Sequence, residues 1–449
     1  MGKKVKPNDG KLGLFEGYSL GVGCIIGAGI FSMTGMAIGH TGSSAFIAYL
    51  LAAVILSFGL FPHLIMCSTL PTTSASYTYA GLINPKVGPV YTMCWFLRQF
   101  TMAFLALTFG NYLNSIIPAI NARVTAMVLL TILFALNLLG PKMATLAQTI
   151  MNVIMLVALI SFVAFGLPNV NMSNFTGSDF MPNGFNGMAA AVGLLLFTMG
   201  GGLTLPEIGS QVRNPRVNIV KAYALVTLTG ALIFSIVTFV AGGVLPISES
   251  ANQVLTVTAK VIYPNSGFVI FFVAGGALMA AATTVNGNIT GAIGAVMKSS
   301  DEGWYPSFLG KRNRFGVPVG WTVAIYIVSM TPLVLNLPQS VMGNLAAGMT
   351  TLAQVVPNFA LLFVAKKAPE AWRTSPFHMP DWARIGITIV SNLVLCYFAF
   401  LNLKALPGYL LITIAIILAL TVAYLFYREP YHNKLMAERG AAEGYTEIK

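Results

Sequence analysis

Long apolar runs, separated by short stretches of Pro, Gly, Asn and charge, fill the chain from Leu14 to Phe426. A helix needs about 20 apolar residues to cross a bilayer, and twelve runs approach that length. They are approximately Leu14–His40, Ser44–Ser68, Pro89–Ile117, Val124–Leu139, Met143–Leu167 and Phe185–Gln211, then Ile219–Leu245, Gly267–Met297, Val319–Leu335, Val341–Val364, Ala383–Leu403 and Gly408–Tyr427. The runs are continuous, not alternating, and open sheet edges cannot face hydrocarbon. The pattern therefore predicts an all-α, polytopic membrane protein of twelve transmembrane helices. The membrane unit is expected over 14–427, between tails at 1–13 and 428–449, the second polar and frayed. Pro71–Gly88 reads as an amphipathic piece at the membrane interface, and Ser299–Pro318 as a charged connector.

Composition removes the soluble alternative. Only 8% of residues are charged and 56% are hydrophobic, whereas a soluble domain carries about a quarter charged. The net charge of +12 could suggest nucleic acid, but the charges fall between apolar runs and not on one polar face. With the N-terminus inside, 21 of the 25 basic residues fall in cytoplasmic segments, leaving Arg123, Lys260 and Lys404 outside and Arg98 within a span. That asymmetry predicts two cytoplasmic termini. The Lys-rich start leads into a run too long for a cleaved signal, and the compact loops suit a prokaryotic cytoplasmic membrane. Cys24, Cys67, Cys94 and Cys396 lie inside apolar runs without metal-ligand spacing. No HExxH, paired acids or P-loop is present, which argues against a membrane enzyme or a primary pump. No cofactor or metal is expected.

Two spans carry glycines where a plain anchor would not. The first reads GYSLGVGCIIGAGIFSMTGMAIG and the sixth VGLLLFTMGGGLTLPEIG. An interior Gly costs a helix about 1 kcal/mol relative to Ala. Gly23 with Gly27, or Gly35 with Gly39, has the spacing for close helix packing, but Gly200, Gly201 and Gly202 do not. Glycine interruptions at corresponding positions of two halves point to a binding site between them. At the first interruption, Cys24 and Ile25 would end one half-helix with bare carbonyls, and Ala28 and Gly29 would start the next with bare amides. Helix N-termini favour anions and C-termini cations, so opposed ends suit a small zwitterion.

GVGCIIGAGIF, FTMGGG followed by EIGSQVRNPRVNI, and NGNITGAIGAVMKSSDEGWYP leading to RFGVP resemble motifs of the amino acid–polyamine–organocation transporter superfamily. The resemblance spans nearly the whole chain. It implies an inverted repeat of five plus five helices (about 14–168 and 185–365) with discontinuous helices 1 and 6. Two further helices follow, at about 383–427. It implies that the amides of Ala28 and Gly29 bind substrate carboxylate, and that the carbonyls of Ile25, Phe197 and Gly200 bind its ammonium. Gly27, Thr198 and Gly201 complete the two breaks, and Phe197 covers the substrate. Met102, Leu107 and Asn288 would line the side-chain pocket, favouring a neutral or apolar substrate. Met155 stands where many proton-coupled relatives have Lys, and Leu203 where some exchangers have an acid.

Ionisable groups inside a membrane are functional candidates. Arg98 lies about 13 Å into the third span, within snorkelling reach, and reads as structurally paired. Glu207, near the end of the sixth, reads as a gate charge. His63 is expected to pack with a hydrogen-bond partner. Thr283, Thr284, Asn286 and Asn288 could hold a cation, line a path or bond between helices. These readings converge on a secondary carrier of amino acids or related amines working by alternating access. A polyamine carrier, or a sensor or accessory subunit that binds without transport, would share the fold. The sequence leaves open the coupling ion, H+ or Na+, and the oligomeric state.

Overall fold

The computed structural model describes residues 12–72, 74–139 and 142–443, with backbone alone at 142–152, 210, 290, 294–295 and 439–443. All but Leu12 and Gly13 of the expected N-terminal tail, and the last six residues of the C-terminal one, lie outside the described residues. Among those described, the elements are helices, joined by two isolated bridges, Leu12 with Val212 and Arg312 with Pro318. Eight helical stretches are long and apolar enough to cross a bilayer, and four apolar helices of 10–17 residues accompany them.

Five expected spans are not uniform helices among the described residues, the eighth because it passes through a π-helical stretch at Phe272–Leu278. The first is broken between Leu14–Ile25 and Ala28–Thr41. The second bends at Leu60, where Pro62 opens a new helix, Phe61–Thr69. The third tightens to a 3-10 turn at Arg98–Phe100, between Val87–Leu97 and Thr101–Ile116. In the sixth, Gly184–Met199 runs into a 3-10 turn at Gly200–Leu203. The sixth span therefore tightens where unwinding was expected. Three glycines without Cβ atoms let the turn contract to i→i+3 bonding.

Burial orders the helices from centre to rim. In Gln339–Lys367, 72% of the most apolar window is buried, against 11% in the helix beginning at Gly408. The latter exposes Ile412, Ile416, Leu420 and Phe426. Each such side chain would gain about 1.5–3 kcal/mol from leaving water, so this surface requires lipid.

Two polar segments are better ordered than their composition suggests. Within Pro71–Gly88, helix Ala75–Ile83 buries Ala75, Ser76, Tyr77, Tyr79 and Ala80 against the protein. Residues 428–443 of the tail expected to fray are helical, because the last helix continues from Gly408 to Glu443. Lys86 pairs with Glu429 at 2.8 Å, Arg428 Nε donates to the Gly303 carbonyl at 3.0 Å, and His432 stacks on Trp304 at 3.9 Å.

Candidate functional site

The break in the first span is an extended pair, Ile26 and Gly27. Gly27 has φ −154°, which any residue can adopt. Its lack of a side chain matters for contact instead: a Cβ there would lie 2.4 Å from Thr284 Oγ1. A Cβ on Gly29 would lie 2.7 Å from Thr198 Cγ2, and one on Gly201 would lie 2.3 Å from Ile25 Cα and 2.5 Å from the Cys24 carbonyl oxygen. The two glycine interruptions thus meet backbone to backbone at the centre of the bundle. Gly200 faces more open space, where the nearest atoms to its Cβ position are Leu203 Cδ1 and Thr350 Cγ2, at 3.8 and 4.0 Å.

The exposed backbone differs from that expected. The Ala28 amide is not bare: it donates to Thr284 Oγ1 at 2.9 Å, and that hydroxyl donates to the Ala280 carbonyl at 2.7 Å. The Phe197 carbonyl accepts from the Gly200 amide, a consequence of the tightened turn. Among the described residues, the Gly29 amide and the Ile25 carbonyl have no hydrogen-bond partner. The Gly29 amide and the Ile25 carbonyl are thus free at the opposed helix ends, and the Cys24 and Ile26 carbonyls and the Gly27 and Ile30 amides likewise have no partner among the described residues.

Phe197 is half-buried and meets Phe104 edge to face, with centroids 6.4 Å apart. Phe104 is the third-span residue at this position, and the sequence reading missed it. Met102 is fully buried and turned to the ninth span, where Ser329 Oγ donates to its sulfur at 3.4 Å. Leu107 lines a separate cavity of about 590 Å³ with Asn111, Asn121, Arg123 and Gln339. Met102 and Leu107 make these contacts within the same apolar cluster as Ile25, Ile26 and Ala28 of the first break. His63 is fully buried, lies edge-on to Tyr79 at 5.4 Å, and has no hydrogen-bond partner among the described residues.

One face of helix Met279–Asp301 connects the breaks to the end of the molecule bearing Glu207. Thr284, Asn288, Gly291 and Lys298 recur at intervals of four, three and seven residues and so share that face. Thr284 touches the first break. At the far end, Lys298 Nζ donates to Thr78 Oγ1 at 2.6 Å and lies 5.4 Å from the centre of the Tyr77 ring. Between these contacts Asn288 is half-buried, and Gly291 is exposed with nothing within 4 Å of its Cβ position. Both ends of the stripe touch inner elements, so the uncovered middle faces the bundle and not lipid.

Glu207 closes that end laterally. Its carboxylate accepts from the Ser76 amide at 3.2 Å and from the Ser76 hydroxyl, and its carbonyl accepts from the Ser74 amide at 2.9 Å. A carboxylate at the N-terminus of helix Ala75–Ile83 satisfies amides that the helix leaves free. Tyr77 on the same helix donates to Glu302. Ala75–Ile83 therefore links the sixth span to the eighth. At the opposite end, Asn252 N donates to the Gly35 carbonyl at 2.7 Å, and the Tyr112 hydroxyl donates to the Phe31 carbonyl and accepts from the Leu255 amide, both at 3.0 Å.

Arg98 is not paired with an acid. Its guanidinium lies 3.7 Å from the centre of the Trp95 ring, and among the described residues no carboxylate is within ion-pair distance. Among the described residues, six buried polar atoms on the third and tenth spans have no hydrogen-bond partner: Trp95 Nε1, Arg98 Nε, Thr101 Oγ1, Thr350 Oγ1, Gln354 Oε1 and Asn358 Oδ1. Each would cost about 1–3 kcal/mol if it stayed unsatisfied.

A bundle that needs lipid, with two glycine interruptions in contact inside it, is a multi-pass integral membrane protein. Comparison with known proteins makes the class specific. The chain belongs to the amino acid permease family, whose model matches residues 12–424. It is 22% identical over 459 residues to the branched-chain amino acid permease of Bacillus subtilis, covering 95% of this chain and 94% of that one. It is 23% identical to the methylthioribose transporter of the same organism, with 93% of each covered. It is 25% identical to that organism's serine/threonine exchanger over 262 residues, with 55% of this chain and 57% of the exchanger covered. The chain is a permease and not an enzyme.

Proposed function

We propose that this protein is a secondary carrier of amino acids or closely related amines, working by alternating access around the two apposed glycine interruptions. The observation that carries the reading is the contact of Gly201 with Cys24 and Ile25, which places opposed helix ends beside the sixth span. The Gly29 amide would take a substrate carboxylate and the Ile25 carbonyl its ammonium, with Phe197 and Phe104 covering the aliphatic part. The unburied stripe of Asn288 and Gly291 would be the exit path, and Glu207 the gate at its end. In this reading the chain has twelve spans, in two inverted five-span halves followed by two helices. The Glu207 end is cytoplasmic, consistent with the basic residues gathered there. Relatives named for branched-chain amino acids and for serine and threonine support an amino acid substrate.

The test is a thermal-shift screen of purified protein against amino acids, amines and polyamines, followed by counterflow of each hit in proteoliposomes. A bound ligand raises stability by RT ln(1 + [L]/Kd), so the first arm identifies the ligand class. The expected result is at least one amino acid that both shifts melting and exchanges across the membrane. Binding without counterflow would make the protein a sensor. A shift only by an unrelated solute class would remove the substrate assignment.

A further inference from the structure

The polar atoms left over between the third and tenth spans form a set. Arg98 sits in the 3-10 turn of the third span, with Trp95 one turn before it and Thr101 three residues after. The tenth span packs along this stretch, Leu97 sharing an apolar cluster with Leu345 and Met349, and Tyr91 sharing one with Ala353. Thr350 and Gln354, four residues apart, lie on one face of that span. Thr350 also reaches the sixth-span interruption, 4.0 Å from the Cβ position of Gly200. Thr101, Thr350 and Gln354 are only 5%, 5% and 2% exposed, and none of their orphan oxygens has a protein partner among the described residues.

Buried polar atoms are nearly always satisfied, so several orphans on facing helices point to a ligand. The chemistry of the set is specific. Arg98 Nε and Trp95 Nε1 can only donate, the threonine hydroxyls can donate, Gln354 Oε1 can only accept, and Arg98 carries a positive charge with no paired acid among the described residues. A half-buried guanidinium with no carboxylate within ion-pair distance favours an anion, and guanidinium suits carboxylate above other groups.

We propose that this cluster is the side-chain subsite of the carrier, and that it takes a second carboxylate, making an acidic α-amino acid such as glutamate the preferred substrate. The inference rests on the carrier reading, since the α-amino and α-carboxylate groups are held at the breaks beside Gly200. It replaces the neutral pocket implied by Met102 and Leu107.

The experiment measures L-glutamate and L-leucine binding by thermal shift, and their counterflow in proteoliposomes, for the full chain and two variants. Wild type is expected to bind glutamate more tightly than leucine. Arg98→Gln is expected to weaken glutamate at least tenfold and leave leucine within twofold. Thr101→Val is isosteric and removes one orphan hydroxyl. A merely structural Thr101 would make that variant more stable with glutamate affinity unchanged, whereas a ligand-binding Thr101 makes glutamate several-fold weaker. If Arg98→Gln does not fold, the Thr101→Val result decides. Equal wild-type affinities for the two amino acids, or a glutamate affinity indifferent to both variants, would overturn the proposal. Failure of the carrier reading is distinguishable, because then no amino acid or amine exchanges in proteoliposomes, whatever the relative affinities for glutamate and leucine.

Discussion

Helix Leu14–Ile25 buries only Gly17, Gly21 and Ile25, whereas Ala28–Thr41, two residues further along the same span, buries 11 of its 14 residues. The first half leans on its neighbour along a narrow glycine edge: a Cβ on Gly21 would lie 2.5 Å from Val226 Cγ2. The second half is enclosed, with Gly35 pressed on the Gln253 backbone and Gly39 on the Asn252 side chain. One span therefore joins a segment fixed in the bundle to one held by little. The loose half is tied at its start to the sixth span, where the Leu12 amide donates to the Gln211 carbonyl at 2.9 Å and the Arg213 amide to the Leu12 carbonyl at 2.7 Å. The segments before the first break and after the sixth are thus coupled, and in the proposed cycle they swing together against the fixed half.

The largest effect is expected where the two interruptions meet. Gly201→Ala puts a Cβ 2.3 Å from Ile25 Cα, against backbone that cannot rotate away. Overpacking of this kind costs about 1–3 kcal/mol, and here it also pushes apart the helix ends proposed to hold substrate. Counterflow should be abolished and melting lowered. Gly81→Ala, at a position with nothing within 4 Å, should leave both unchanged. Normal flux in Gly201→Ala would mean that the close approach is incidental.

Next in size is the tether of the loose half. Glu207→Gln removes the charge that caps helix Ala75–Ile83 and weakens its bonds to Ser76. Hydrogen bonds to charged groups are worth about 1.5–3 kcal/mol, so the coupled segments should open more often by roughly tenfold or more. Cys24, half-buried on the loose half, reports this in a background with Cys67, Cys94 and Cys396 changed to Ala. Its alkylation should accelerate in Glu207→Gln. An unchanged rate would show that Glu207 holds helix Ala75–Ile83 without controlling access.

The division between the halves also marks how far the sequence could be read. The break at Ile26–Gly27 and the outlines of the apolar spans were legible, because hydropathy and glycine placement act locally. GGG at Gly200–Gly202 was legible as an interruption but not as a contraction, since the same glycines permit either and the packing of Gly201 on Ile25 decides. Met102 and Phe104 are two residues apart on one helix, and only the neighbouring spans determine that Phe104 meets Phe197 while Met102 faces Ser329. Helix Ala75–Ile83 carries few charges and many hydroxyls, which suits an interface. Its burial depends on Glu207 and Glu302, partners more than 130 residues away.

The smallest effect tests the hinge itself. The Ala28 amide begins the fixed half, and its partner is Thr284 Oγ1, on a helix that also touches Gly27. This hydroxyl is the point where the eighth span holds the boundary between the two halves. Thr284→Val keeps the shape and removes the acceptor, leaving the amide unpaired at a cost of about 1 kcal/mol. Thr284→Ser keeps the acceptor and should melt like wild type. If the hydroxyl only stabilises the boundary, Thr284→Val lowers melting slightly and leaves ligand affinity alone. If a substrate carboxylate draws the Ala28 amide away from Thr284 on binding, the same variant binds its ligand more tightly, because an amide that must leave a partner becomes one already free. Melting of Thr284→Val with and without a saturating ligand separates these outcomes. A larger ligand-induced shift than wild type would place Ala28 beside Gly29 in holding the substrate, and an equal shift would leave the Gly29 amide to act alone.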